Sequence, residues 1–406
     1  MSGHRKAFAG VALALSLVAS FALLEVGLRA VSRVDVDGNV FVGGWRLLPF
    51  RLPIESARAR VAEYLARGDR TYFVYDPDIG WTVRPMGTSD DGLYIANERG
   101  IRTDATRRPT ARAAAPGTLR VALFGDSFTH CNDVPFAQSW GAQLEEDLER
   151  LGVRAEVLNL GGSGYAMDQA LWRFEKEGRP LSPDVVVFGF QNTNVRRNLN
   201  LIRLLYNPDT GLIFAKPRFV LEGGALRVVD RPAPRPEQLP AILADFEHWP
   251  ASRYEFFYEA RNYRDSFFYH SRVIALAASG VRTRFSQKRK SHDFFAPGTR
   301  SRAIARSILD RFEAESTGAG ARLLVVHLPT RKPIKRLVAG RPLKYADFYR
   351  EIRSDFEVAD PAPALREHAQ QQGLESLFAP VGGHYSGAAN RIVAATVADA
   401  LVSSRR

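Results

Sequence analysis

With one cysteine in 406 residues, Cys131, the chain can form no internal disulfide, and its core must be held by packing. That shortage does not bear on export, since many exported proteins carry no disulfide. No set of His, Cys, Asp and Glu has the spacing of metal ligands. Gly161-Gly162-Ser163-Gly164 also lacks the Gly-x-Gly-x-x-Gly spacing of a dinucleotide loop, so neither a metal nor a cofactor is expected. There is no internal repeat, which excludes solenoids and propellers.

Charge is absent between Lys6 and Glu25. As a helix, Ala7–Leu24 would span about 27 Å, close to the hydrocarbon thickness of a bilayer. Arg5 and Lys6 precede it, and the positive-inside rule then keeps the amino terminus in the cytoplasm and sends the rest outward. A cleaved signal peptide is the alternative, but Ser20-Phe21-Ala22 is a poor cleavage site because Leu23-Leu24 continue the apolar run. The expectation is a single-pass anchor in the inner (cytoplasmic) membrane, with the body of the chain in the periplasm or outside the cell.

The chain as a whole is 45% hydrophobic and 25% charged, an ordinary globular composition. A net charge of +12 suits an acidic partner such as an anionic glycan or lipid headgroups, but arginine is scattered as a GC-rich genome would also scatter it. No nucleic-acid partner is expected. The one tight basic run, Arg282 to Lys290, reads as a solvated face.

Strand and helix patterns alternate from residue 118: Leu119–Phe124, a helix near 139–151, Ala155–Asn159, a helix near 168–178, and Asp184–Phe188. The order resumes with a helix at 301–316, the strand Arg322–His327, a helix near 345–355 and a last helix at 388–404. Such alternation implies βαβ units in a parallel sheet covered on both faces. Residues 199–300 interrupt it with a glycine-turn hairpin at 219–229 and an aromatic-rich, helix-like stretch at 246–268. Four divisions follow: an anchor at 1–30, a stalk and lead-in at 31–117, an α/β domain at 118–198 and 301–406, and an insertion at 199–300 that could serve as a lid.

Four blocks carry the chemistry. The strand Leu119–Phe124 runs into Gly125-Asp126-Ser127, so Ser127 stands at the carboxyl end of a strand, where α/β sheets place ligands. Leu160-Gly161-Gly162-Ser163-Gly164 closes a second strand, Gln191-Asn192-Thr193-Asn194 a third, and Gly383-His384 precedes the last helix. In this order the blocks resemble the SGNH (GDSL-type) hydrolases, in particular their membrane-tethered bacterial branch. The resemblance implies a three-layer, flavodoxin-like parallel sheet carrying a serine esterase.

It further implies Ser127 as nucleophile and His384 as base. The oxyanion hole would comprise the backbone N–H groups of Ser127 and Gly164 and a side-chain amide. Relatives carry Asn where this chain has Thr193, so Asn192 is preferred as that donor, with Asn194 as the alternative. His130 and His327 compete with His384 as base or line the pocket, and Asp126 ties down the turn. Relatives also place an aspartate two or three residues before the histidine. Here those positions are Gly382 and Val381, so the ring is expected to be oriented by a backbone carbonyl or by an acid recruited from elsewhere, or the site no longer works well. The substrate expected from this reading is an acyl ester, such as an O-acetyl group on a glycan. Acyl transfer to polysaccharide and a non-catalytic glycan-binding scaffold are the alternatives.

Overall fold

A computed structural model describes residues 2–285 and 293–403. The chain divides into two units, residues 1–60 with 239–293 and residues 61–238 with 294–406. The stretch 199–300 is divided between them, residues 239–293 clustering with the first unit and the rest with the second. Residues 199–238 belong with the α/β unit because the hairpin of Arg218–Glu222 and Ala225–Val229 packs there, Phe219 lying 4.8 Å from Trp172 between ring centroids. The fully buried Lys216–Asp168 pair, at 2.6 Å, ties the segment further.

In the first unit, helix α1 (Ser2–Val31) includes the one helix segment among the described residues, Lys6–Val31, long and apolar enough to cross a membrane. At Glu25 the apolar run ends. Its carboxylate accepts the N–H groups of Arg272 and Val273 and the Ser271 hydroxyl at 2.8–3.1 Å, capping the helix Arg272–Phe285. The helix-like stretch at 246–268 is instead broken into single turns, among them Phe246–His248, Ser252–Tyr254 and Ala260–Tyr263. Pro250 cannot continue a helix, and the rings pair with each other, Phe246 with Tyr258 at 4.5 Å, rather than lining one face. Of the basic run 282–290, residues 286–290 lie outside the described residues.

The second unit is built on a seven-stranded sheet of β1 (Ile95–Ala96), β2 (Arg102–Thr103), β3 (Leu119–Gly125), β4 (Ala155–Asn159), β5 (Val185–Phe190), β6 (Arg322–His327) and β7 (Val358–Ala359). Its order is β7-β6-β5-β3-β4-β2-β1, with β3 to β7 parallel. Counting the parallel strands along the chain gives the flavodoxin-like order 2-1-3-4-5, so the expected fold class is present. The lead-in adds two antiparallel strands that extend the sheet past β4.

Every residue of β3 and of β5 is buried, because both faces are covered. On one face Val121, Leu123, Val185, Val187 and Leu324 meet the helices α2 (Trp140–Arg150) and α6 (Gly387–Ser403) through Trp140, Leu144, Val393 and Val397. On the other, Phe124 and Phe188 pack against α3 (Met167–Arg173) and α4 (Arg300–Gly318), with Phe174 stacked on Phe312 at 5.7 Å. Each such side chain contributes about 1.5–3 kcal/mol on burial. The strand β7 and the helix α5 (Ala362–Gln372) have no counterpart in the pattern read from the sequence. In this strand order the topological switch point lies between β3 and β5, and its carboxyl ends are where such sheets bind ligands.

Candidate active site

Both strands that flank the switch point end in a candidate block. After β3 the chain turns at Asp126 into the one-turn helix Ser127–His130. Asp126 is fully buried. Its Oδ1 accepts the Phe128 N–H at 2.9 Å, and its Oδ2 accepts from Arg197 at 2.8 Å and Asn194 at 3.3 Å, so Asp126 is bound into the turn. The glycine turn after β4 docks on the same place, Gly162 N–H donating to the Gly125 carbonyl at 3.0 Å.

His384 reaches this turn from the other end of the chain. Its loop is closed by Ala379 N–H donating to the His384 carbonyl at 2.8 Å, and the Tyr385 hydroxyl donates to the Pro329 carbonyl at 2.7 Å. Phe128 supports the imidazole, with the ring centroids 5.0 Å apart. His384 Nε2 lies 2.8 Å from Ser127 Oγ, and Nδ1 lies 2.6 Å from Asp133 Oδ2. A carboxylate only accepts, so the proton is on Nδ1 and Nε2 offers its lone pair to the serine hydroxyl. The geometry is that of a Ser-His-Asp relay.

Asp133 is the residue that sequence reasoning missed. Its carboxylate occupies the space that a side chain at position 382 would need: a Cβ on Gly382 would sit 2.0 Å from Asp133 Oδ2, and Gly382 has φ +81°. The Asp133 carboxylate thus approaches the ring from the loop that follows Ser127, as an acid recruited from elsewhere and not a backbone carbonyl. Burial raises the Asp133 pKa, but the hydrogen bond and charge of His384 outweigh it and hold the carboxyl below its usual 3.8.

The lead-in strands fix this loop. Arg102, buried on β2, donates to the carbonyls of His130, Cys131 and Val134, and the Tyr94 hydroxyl accepts the Asp133 N–H at 3.0 Å. These contacts hold Cys131 (φ +62°) and Asp133 (φ +70°) in the left-handed region, which costs of order 1 kcal/mol or more at each. A signal for Asp133 was present: glycine at the usual acid position, and an aspartate six residues past Ser127.

The competing histidines are placed elsewhere. His130 is fully buried, with Nε2 2.9 Å from the Tyr72 hydroxyl and Nδ1 2.8 Å from Asn132 Oδ1; burial and then the Arg102 charge push its pKa well below 6.5, so it stays neutral. His327 is also fully buried, bonded through Nδ1 to Asp360 and through Nε2 to Tyr345, each at 2.9 Å, so it does not line an open pocket. Neither ring faces Ser127.

Three candidate donors remain for an oxyanion. The N–H groups of Ser127 and Gly164 have no acceptor among the described residues, and Gly164 has φ +76° at its turn. The Asn194 side chain is committed, with Nδ2 donating to the Tyr165 carbonyl at 2.9 Å and Oδ1 accepting the Gln191 N–H at 3.0 Å. The Asn192 side chain makes no hydrogen bond among the described residues, its Oδ1 being buried without a partner, so its Nδ2 is the amide donor left uncommitted. Among the described residues, no three His, Cys, Asp or Glu side chains gather as metal ligands would.

No family model matches the chain, and no curated protein does. Solved structures that it resembles include a catalytic mutant of an acetylxylan esterase from Geobacillus stearothermophilus, at 13% identity and a TM-score of 0.37 over 70% of this chain and 94% of that one. A lipase/acylhydrolase from Enterococcus faecalis is similar at 14% identity and 0.35, over 71% and 96%. A lipolytic protein of the G-D-S-L family from Veillonella parvula is similar at 12% and 0.35, over 71% and 100%. The four blocks of the sequence resemble the same family.

Proposed function

We propose that this chain is a serine esterase of the SGNH (GDSL) type that cleaves acyl esters. The observation that carries the reading is the Ser127–His384–Asp133 chain of hydrogen bonds, at 2.8 and 2.6 Å, at the switch point of the sheet. Ser127 Oγ attacks the ester carbonyl while His384 Nε2 takes its proton, and Asp133 holds Nδ1–H and stabilises the imidazolium that forms. The N–H groups of Ser127 and Gly164 and the Asn192 amide receive the negative oxygen of the tetrahedral intermediate. His384 then protonates the departing alcohol, and water, activated by the same nitrogen, releases the acid. The Asp133 carboxylate on Nδ1 supports this reading over a non-catalytic scaffold, since it stands in for the aspartate missing at positions 381 and 382.

A covalent serine probe tests the reading. An alkyl fluorophosphonate is expected to label the full chain at one site, mapped to Ser127, and short p-nitrophenyl esters to be turned over. Absence of both would return the chain to the scaffold reading.

We infer an uncleaved anchor with the catalytic unit on the outer side, supported by the positive Arg5-Lys6 flank and the exposed apolar helix. An alkaline phosphatase fusion after residue 70 is expected to be active in a Gram-negative host. High activity of a cytoplasmic reporter at that point would refute export. An O-acetylated envelope glycan is the substrate that fits this location, and release of acetate from it is the corresponding assay.

A further inference from the structure

The segment after β5 carries more positive charge than the relay uses. Arg196 and Arg203 stack on the Tyr206 ring at 4.8 and 5.0 Å, and Arg197 donates to Asp126 Oδ2 at 2.8 Å and to the Tyr165 carbonyl at 3.1 Å. Arg203 is only 6% exposed, yet its Nε and Nη1 are buried with no acceptor among the described residues, as is Arg197 Nε. Its guanidinium lies against Gly164, where an added Cβ would be 3.3 Å from both Cζ and Nη2. The carboxylate acting on Arg203 is Asp126, already spent on Phe128, Asn194 and Arg197.

A guanidinium cannot shed its proton at neutral pH, and buried donors without acceptors are costly to leave unmade. Burial, and next the charge of Arg197, pull the Arg203 pKa down to about 10, the mark of a cation that lacks its counter-charge. Nothing in the relay supplies that charge, and the turn at Gly164 is where the reacting ester would sit.

We propose that Arg203, backed by Arg197, is an anion subsite beside the oxyanion hole that binds a carboxylate of the substrate. The inference rests on the esterase reading and names its substrate class: an ester in which either the alcohol, as in a sugar acid, or the acyl chain, as in a half-ester of a diacid, carries a free carboxylate. Planar guanidinium nitrogens match carboxylate oxygens in geometry as well as charge.

Calorimetric titration of the full-length Ser127→Ala chain, which needs no turnover, tests it with two matched pairs. One is methyl glucuronoside against methyl glucoside; the other is monomethyl adipate against dimethyl adipate. In at least one pair the charged member is expected to bind tenfold or more tighter, and the pair that shows it identifies which side of the ester carries the acid. Arg203→Met should reduce that preference to less than about threefold, and Arg203→Lys should keep part of it. Equal binding within both pairs overturns the proposal, as does a preference undiminished in a folded Arg203→Met chain. If the variants do not fold, the two pairs on the Ser127→Ala chain decide alone. Turnover of neutral p-nitrophenyl acetate by the Ser127 chain reports separately on the esterase reading.

Discussion

Ser127→Ala is expected to reduce turnover of p-nitrophenyl acetate by roughly 10³- to 10⁶-fold, because loss of the nucleophile leaves only oxyanion stabilisation and binding. The fold should survive. Ser127 is 6% exposed and among the described residues its hydroxyl bonds only to His384, so the change removes one hydrogen bond of about 1 kcal/mol and creates little cavity. A melting temperature within about 4 °C of the parent, together with loss of fluorophosphonate labelling, is the full expected result. Residual activity within tenfold of the parent would place the nucleophile elsewhere.

The parallel sheet was legible because it rests on local patterns, whereas Ser127 and His384, 257 residues apart, were brought together only by the resemblance of the four blocks to a known family. β3 and β5 read as continuous apolar runs since both faces are covered, and each ends at a turn whose residue types announce the site. What was not legible depends on contacts distant in sequence. Asp133 and His384 are 251 residues apart, and no periodicity links them. Nothing in the lead-in pattern marks a role at the site, yet its Arg102 and Tyr94 hold the Asp133 loop, because a buried guanidinium can satisfy three carbonyls at once. His327 marks a strand end, and only the structure gives it Asp360 and Tyr345 as partners. The division of 199–300 was hidden for a similar reason: the hairpin is a local signal, but the side on which it packs is set by Trp172 and Asp168.

Asp133→Asn is expected to cost roughly 10³- to 10⁴-fold in kcat while the protein remains folded. The amide can donate to Nδ1 and so favours the tautomer with its proton on Nε2, which cannot accept from Ser127. Two controls separate this role from general damage. Asp360→Asn, which alters the partner of His327, should leave kcat within about threefold in a folded chain, since His327 does not reach the serine. Val381→Asp should bring no gain, because Val381 is 81% exposed and the Nδ1 position is already taken. The acid side of the stability profile gives a further readout. The Asp133 carboxyl is held below 3.8 in the folded chain, so the pair contributes stability above that pH and loses it as pH falls through the folded value. In Asp133→Asn this share of the loss below about pH 4 should disappear, and the melting temperature should depend less on pH there. If Asp133→Asn keeps full turnover with its melting profile flattened, Asp133 is only a structural partner of the His384 loop, and the imidazole is oriented by another group.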